Sequence, residues 1–218
     1  MTYFLRNQSV EVLACATRAE THWEQGTPHE KAIAIGLRGI GHNLQQDYPA
    51  AISAYREVLE IHQAISPESD NVSIDLNLIA GVERNNKDYP SAERDYREAL
   101  RIAKKNNNQE YIANYTGNLA ELALDREQWA EAESLAREAL ALDEKVGRQE
   151  LIAHDCHSLS KALLKQNPVG ATHASPLQEA LSLSRRAVEI FTRLRHPNLQ
   201  SAQKTLAEIE QKIKENEK

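Results

Sequence analysis

The chain has 218 residues, 27% charged and 41% hydrophobic, with a formal net charge of −6, which suits a water-soluble protein with one large domain or an elongated array. The acidic balance argues against nucleic-acid binding, because phosphate contacts need clustered Lys and Arg. No apolar run of about 18 residues is present to cross a membrane. Eight Gly and seven Pro leave a composition rich in helix formers, and with only two Phe and two Trp the core must come from Ala, Leu, Ile and Tyr. The start MTYFLRNQSVEVLACA is too polar for a secretory leader. Cys15 and Cys156 are far apart and have no metal or redox spacing, so free thiols in a cytoplasmic protein are expected.

Taken in chain order, apolar periodicity and stop signals predict only helices. A lone helix at about 4–25 comes first. Four pairs follow, at about 29–46 with 49–65, 71–86 with 90–106, 109–126 with 129–146, and 149–165 with 176–194. A last helix covers about 197–215. Thr27, Pro28 and Glu30 form a capping box before the first pair, and Ser175, Pro176 and Gln178 repeat that chemistry before 176–194. The stretch NPVGATHASP (167–176) marks a long turn, placed at 166–175, that interrupts the fourth pair.

The pairs are copies of one unit. QDYPAAISAYREVLEI (46–61) and KDYPSAERDYREALRI (87–102) share Asp-Tyr-Pro, Ala and Tyr-Arg-Glu in the same order. Aligned on the turn aromatic, Tyr48, Tyr89 and Trp129 correspond. Ala51, Ala92 and Ala132 follow, then Tyr55, Tyr96 and Ala136, then Val58, Ala99 and Ala139. A fourth copy in SPLQEALSLSRRAVEI puts Ala180, Ser184 and Ala187 in register. The preceding helices repeat as well: small residues Gly39, Ala80, Ala120 and Ser160 recur, with Ile35, Ile79, Leu119 and Leu159 beside them. Small residues at fixed places let two helices approach closely, and a hairpin with one apolar stripe must stack on neighbours to bury it.

The small-residue position, the turn aromatic and the Ala-x3-aromatic step resemble the tetratricopeptide repeat family, in the longer, roughly 40-residue form of kinesin light chains and bacterial signalling-ATPase sensor arrays. The resemblance covers about residues 29–194. It departs from the family pattern at Arg38, where a leucine stands, and at Ala136 and Ser184, where an aromatic stands. HEAT-type repeats have a similar period and are the runner-up reading, but they account less well for the Asp-Tyr-Pro turn. The resemblance implies an all-α, right-handed α-solenoid of about four helical hairpins with flanking helices. Its divisions are an unpaired N-terminal helix (1–26), repeats at 27–67, 68–107, 108–147 and 148–195, and a capping helix (196–218).

It also implies a recognition scaffold, not an enzyme, binding a peptide or protein segment in a concave groove lined by the first helix of each pair. By that alignment the groove residues are Asn43, then Asn77 and Arg84, then Asn114, Asn118 and Glu121, then His154, His157 and Lys161, with Ile33, Gly36, Ile40 and Gly81 among them. Asparagine amides offer a donor and an acceptor to an extended peptide backbone; otherwise they are solvated helix residues. The family's Lys/Asn carboxylate clamp is not reproduced at Gly36, Ile40, Leu78, Asn114 and Asn118. Alternatively the chain is the sensor or regulatory arm of a larger signalling ATPase or protease, since the first helix resembles half of a pair.

No phosphate loop, nucleophile elbow or His-Glu-x2-His motif is present, and Glu131 and Glu133 are expected to be solvated. His154 and His157 in HDCH lie near one helical face, but a zinc site needs further ligands, so neither a metal nor a cofactor is expected. Leu199, Ala202, Leu206, Ile209 and Ile213 form an apolar stripe on the last helix. It serves as a cap over the fourth repeat, or else as the seam of a weak homodimer; the chain is expected to be a monomer or such a dimer, with no nucleic-acid or membrane partner.

Overall fold

The computed structural model describes residues 3–166 and 174–216, and among these residues every regular element is an α-helix. They are α1 (Tyr3–His22), α2 (Pro28–Leu44), α3 (Tyr48–Ile65), α4 (Asp70–Asn85), α5 (Tyr89–Lys105), α6 (Gln109–Asp125), α7 (Trp129–Val146), α8 (Gln149–Gln166), α9 (Ala174–Leu194) and α10 (Leu199–Asn216). These match the ten helices expected from periodicity, with ends differing by a few residues. Most of the expected long turn lies outside the described residues. Helix α9 already begins at Ala174, so Ser175 is inside it and not at its cap; the Ser175 side chain also lies outside them.

The turns show how a short motif ends one helix and begins the next. After α2, Gln46 adopts φ 62°, its N–H bonds the Asn43 carbonyl at 2.9 Å, and the Asp47 N–H reaches back to His42 O at 3.0 Å. These two bonds are a Schellman closure, in which the last carbonyls find donors. The Asp47 carboxylate then accepts from the Ala50 N–H at 3.3 Å, so the same residue caps α3, and Pro49 sits in the first turn where a missing N–H costs nothing. Lys87, Asp88 and Pro90 repeat the arrangement. Glu127 and Gln128 repeat its backbone half, but Gln128 makes no side-chain cap bond. At α2 the capping box is complete: Thr27 N–H donates to Glu30 Oε2 at 2.8 Å, and Thr27 Oγ1 accepts from the Glu30 N–H at 3.3 Å.

The helices group into two compact units, Met1–Asn107 and Asn108–Lys218. In the first, successive helices α1 to α5 pack each on the next. The repeat positions Ala51, Tyr55 and Val58 on α3 and Ala92, Tyr96 and Ala99 on α5 are all buried, as are Ile79 and Ala80 on α4. Polar ties run between the helices. Arg56 on α3 donates to Glu83 on α4 at 2.8 Å and to Asp95 on α5 at 3.4 Å. His62 on α3 meets Asp75 on α4 at 2.6 Å.

In the second unit the repeat positions Ala132, Ala136 and Ala139 on α7 and Ala180, Ser184 and Ala187 on α9 are buried. Ala120, Leu159, Leu163, Leu164, Leu177 and Ile209 belong to one apolar cluster; Ile152, Cys156, Phe191 and Ala202 belong to another. Helix α10 packs on α9 and α8. Its stripe is buried at Ala202 and Ile209 and partly buried at Leu199, Leu206 and Ile213. Removing an Ile or Phe of this kind from water contributes about 1.5–3 kcal/mol. Two polar contacts fix the helix: Lys212 Nζ donates to Leu164 O at 3.1 Å, and His157 Nε2 lies 3.1 Å from Thr205 Oγ1.

Candidate functional site

A cleft of about 230 Å³ opens between α6 and α8. That volume takes one or two side chains. Its α6 wall is Asn114, Gly117, Asn118 and Glu121, spaced so that all four face the same way. The α8 wall is Leu151, His154, Asp155 and Ser158, and Asp143 enters from α7. Of the groove residues expected from sequence, the structure therefore brings together Asn114, Asn118, Glu121 and His154. Asn118 Nδ2 donates to Asn114 Oδ1 at 3.1 Å. His154 Nδ1 stands 3.6 Å from Glu121 Oε1 across the cleft.

The remaining expected residues lie elsewhere. His157 is only 8% exposed and faces α10. Thr205 spends its hydroxyl proton on Ser201 O at 3.3 Å, which leaves its oxygen to accept from His157 Nε2–H. His157 thus offers little surface to a partner, and burial, with help from Lys161, pushes its pKa down to about 4. Lys161 follows it on α8, half-buried. In the first unit Asn43 on α2 and Asn77 and Arg84 on α4 are half-buried. A cleft of about 240 Å³ in that unit is lined by Trp23, Lys31, Ile35 and Arg38 instead. There Arg38 is held by Glu20 at 3.1 Å and Glu57 at 2.6 Å.

The floor of the α6–α8 cleft went unnoticed in the sequence. Asp143 and Asp155 are 1% and 4% exposed and hydrogen-bonded to each other. Asp143 Oδ1 and Asp155 Oδ2 are buried with no hydrogen-bond partner. Gly117 makes room for them: a methyl group there would come within 2.9 Å of Asp155 Oδ1. Burial raises both carboxyl pKa values, and repulsion from Asp143 raises Asp155 further, so the pair keeps a shared proton at neutral pH. The signal in the sequence was register. Asp155 stands at the repeat position of buried Tyr115 and Asp75, a position that faces inward whatever residue occupies it.

The histidines do not form a metal site of the kind HDCH suggests. His154 turns to Glu121, His157 to Thr205, and Cys156 into the apolar cluster with Phe191. Among the described residues, Glu150, His154 and His196 bring ligand atoms within 4.8 Å of one another. His196 Nδ1, however, accepts from the Asn198 N–H at 3.2 Å. Its Nε2 lies 3.3 Å from Glu150 Oε1. Glu133, expected to be solvated, is instead bound by Arg137 at 2.9 Å and Gln166 at 2.8 Å. No described helix is long and apolar enough to cross a membrane.

The chain is similar over its whole length to the crystal structure of BtubC (BKLC) from P. vanneervenii, at TM-score 0.76 and 18% identity, covering 87% of that chain. It resembles a putative kinesin light chain from Podosopora anserina with nearly identical TPR-like repeats, at TM-score 0.66 and 19% identity, over 88% of this chain and 90% of that one. The apo form of RapI aligns at TM-score 0.68 and 18% identity over 90% of this chain but 53% of RapI. These likenesses establish an all-α fold of the tetratricopeptide solenoid class. No curated protein sequence matches the chain. A tetratricopeptide repeat model matches residues 30–105 and 72–145, together just over half the chain. The chain belongs to the tetratricopeptide repeat family.

Proposed function

We propose that this protein is a recognition scaffold, without chemistry of its own, that binds a peptide or protein segment along the first helices of its hairpins. The repeating units are the hairpins at 27–67, 68–107, 108–147 and 148–195. The observation that carries the reading is the α6–α8 cleft, where Asn114, Asn118, Glu121 and His154 line a space the size of a side chain. Amides paired across one helical turn present a donor and an acceptor together, which suits the backbone of an extended segment. Asn43, Asn77, Arg84 and Lys161 extend the proposed contact set; His157, buried against α10, is not part of it. Membership of a family whose fold is used for protein–protein interaction supports the reading.

The test is selection of random peptides on the purified protein, followed by affinity measurements on variants. Asn114→Ala with Asn118→Ala is expected to weaken selected peptides at least about tenfold, the equivalent of about 1.4 kcal/mol. Peptides whose affinity is unchanged by substitution of Arg84, Asn114, Asn118 and Lys161 would overturn the assignment.

A further inference from the structure

We propose that the α6–α8 cleft takes a basic side chain, lysine or arginine, of the bound polypeptide, with its cationic head against the Asp143–Asp155 pair. This rests on the peptide-binding reading above and names the chemistry of one of its subsites.

Two independent observations point to a cation. Asp143 Oδ1 and Asp155 Oδ2 are acceptors on side chains more than nine-tenths buried, at the floor of a cleft, with no donor to meet them. A buried acceptor left without a partner is destabilising, because it has lost its water without gaining a donor. The other observation lies within the chain itself. Two repeat periods earlier, the positions of Asp143 and Asp155 are held by His62 and Asp75, which meet at 2.6 Å. There the fold supplies its own hydrogen-bonding partner to the buried aspartate. Here the second helix offers a carboxyl group in place of the imidazole, so no donor cation comes from the fold.

The charged groups around the pair do not fill that role. Arg148, at the start of α8, pairs with Glu110 of α6. Arg186 of α9 pairs with Glu144 at 2.5 Å and lies by Cys156. His154 is turned to Glu121 at 3.6 Å, and Glu121 adds negative charge at the rim. An arriving ammonium or guanidinium finds the two aspartate carboxyl groups lining the floor and a third carboxylate, Glu121, in the wall. Its binding favours the fully ionised pair, so the shared proton leaves to the buffer.

The test uses random heptapeptides selected on the wild-type protein and on Asp155→Asn. That variant removes a repulsion and is expected to fold. Wild-type selection is expected to enrich Arg or Lys at one position, and Asp155→Asn to lose the enrichment. Replacing the enriched arginine by neutral citrulline is expected to weaken binding at least tenfold. Calorimetry of the wild-type complex in buffers of different ionisation enthalpy is expected to show proton release, a readout that needs no variant. Peptides without a basic residue that still depend on Asn114 and Asn118 would overturn this inference and leave the peptide-binding reading standing. Peptides indifferent to those asparagines would overturn both. Displacement of the peptide by free putrescine at matching concentration would overturn the polypeptide as the source of the cation.

Discussion

Gly39 on α2 lies against the ring of Tyr55 on α3: a methyl group on Gly39 would stand 2.6 Å from Tyr55 Cε1. The Tyr55 ring is buried and cannot swing away, so the small residue sets the distance between the helices. Gly36, one turn earlier on the same helix, faces open space. Gly39→Ala is expected to destabilise the protein by about 1–3 kcal/mol through overpacking. Gly36→Ala is expected to stabilise it by about 0.5–1 kcal/mol, the gain in helix propensity alone. Chemical denaturation of the two variants checks this; equal effects of the same sign would mean Gly39 does not set the spacing.

The acid pair predicts a pH dependence of stability. Asp155 is pushed up to about 9, from an ordinary value of 3.8, by burial and then by Asp143. Between those values the folded state binds more protons than the unfolded one, so the pair's contribution is full in acid and is lost as pH rises through the window. Asp155→Asn removes the titration. Its advantage over the wild type is expected to grow from pH 5 to pH 9, reaching an order of 1–3 kcal/mol. Denaturation midpoints at several pH values measure it, and a constant offset across the range would contradict the shared proton.

His157 acts in the opposite direction. Its pKa is lowered to about 4 from 6.5, chiefly by burial, so the unfolded state binds the proton more readily. Stability is full above pH 6.5 and is lost as pH falls toward 4. His157→Gln keeps a donor for Thr205 without the titration, and is expected to flatten the wild-type curve in that interval. NMR titration of the His157 ring gives a second check: a midpoint near 6.5 would refute the burial argument.

The two cysteines are expected to differ in reactivity. Cys15 is exposed and Cys156 is buried, and burial pushes the Cys156 thiol up to about 11, leaving almost no thiolate to react. A thiol reagent at pH 8 should label one site in the native protein and two in denaturant. Rapid labelling of Cys156 under native conditions would show that the second unit opens locally.

How much was legible in the sequence can be traced through particular residues. Asp47 and Asp88 were readable as part of a turn because local chemistry acts over a few residues: a carboxylate beside a helix start caps it. Ala51, Ala92, Ala132 and Ala180 were readable as packing positions because they recur in register. Asn114, Asn118, Glu121 and His154 were readable as one lining because helical spacing puts them on facing walls. Lys161, Asn43, Asn77 and Arg84 followed from the same alignment, but spacing alone does not say which positions border a cleft.

Sequence by itself determined the helices, their turns and the repeat, because each is set by neighbours along the chain. Tertiary structure alone decided the fate of the titratable groups. In HDCH the two histidines drew attention, yet one turns to Glu121 and the other to Thr205 of a helix far along the chain, while the aspartate between them meets Asp143 across a helix interface. Burial and pairing depend on which side chain arrives from the adjoining helix, and no local pattern encodes that arrival.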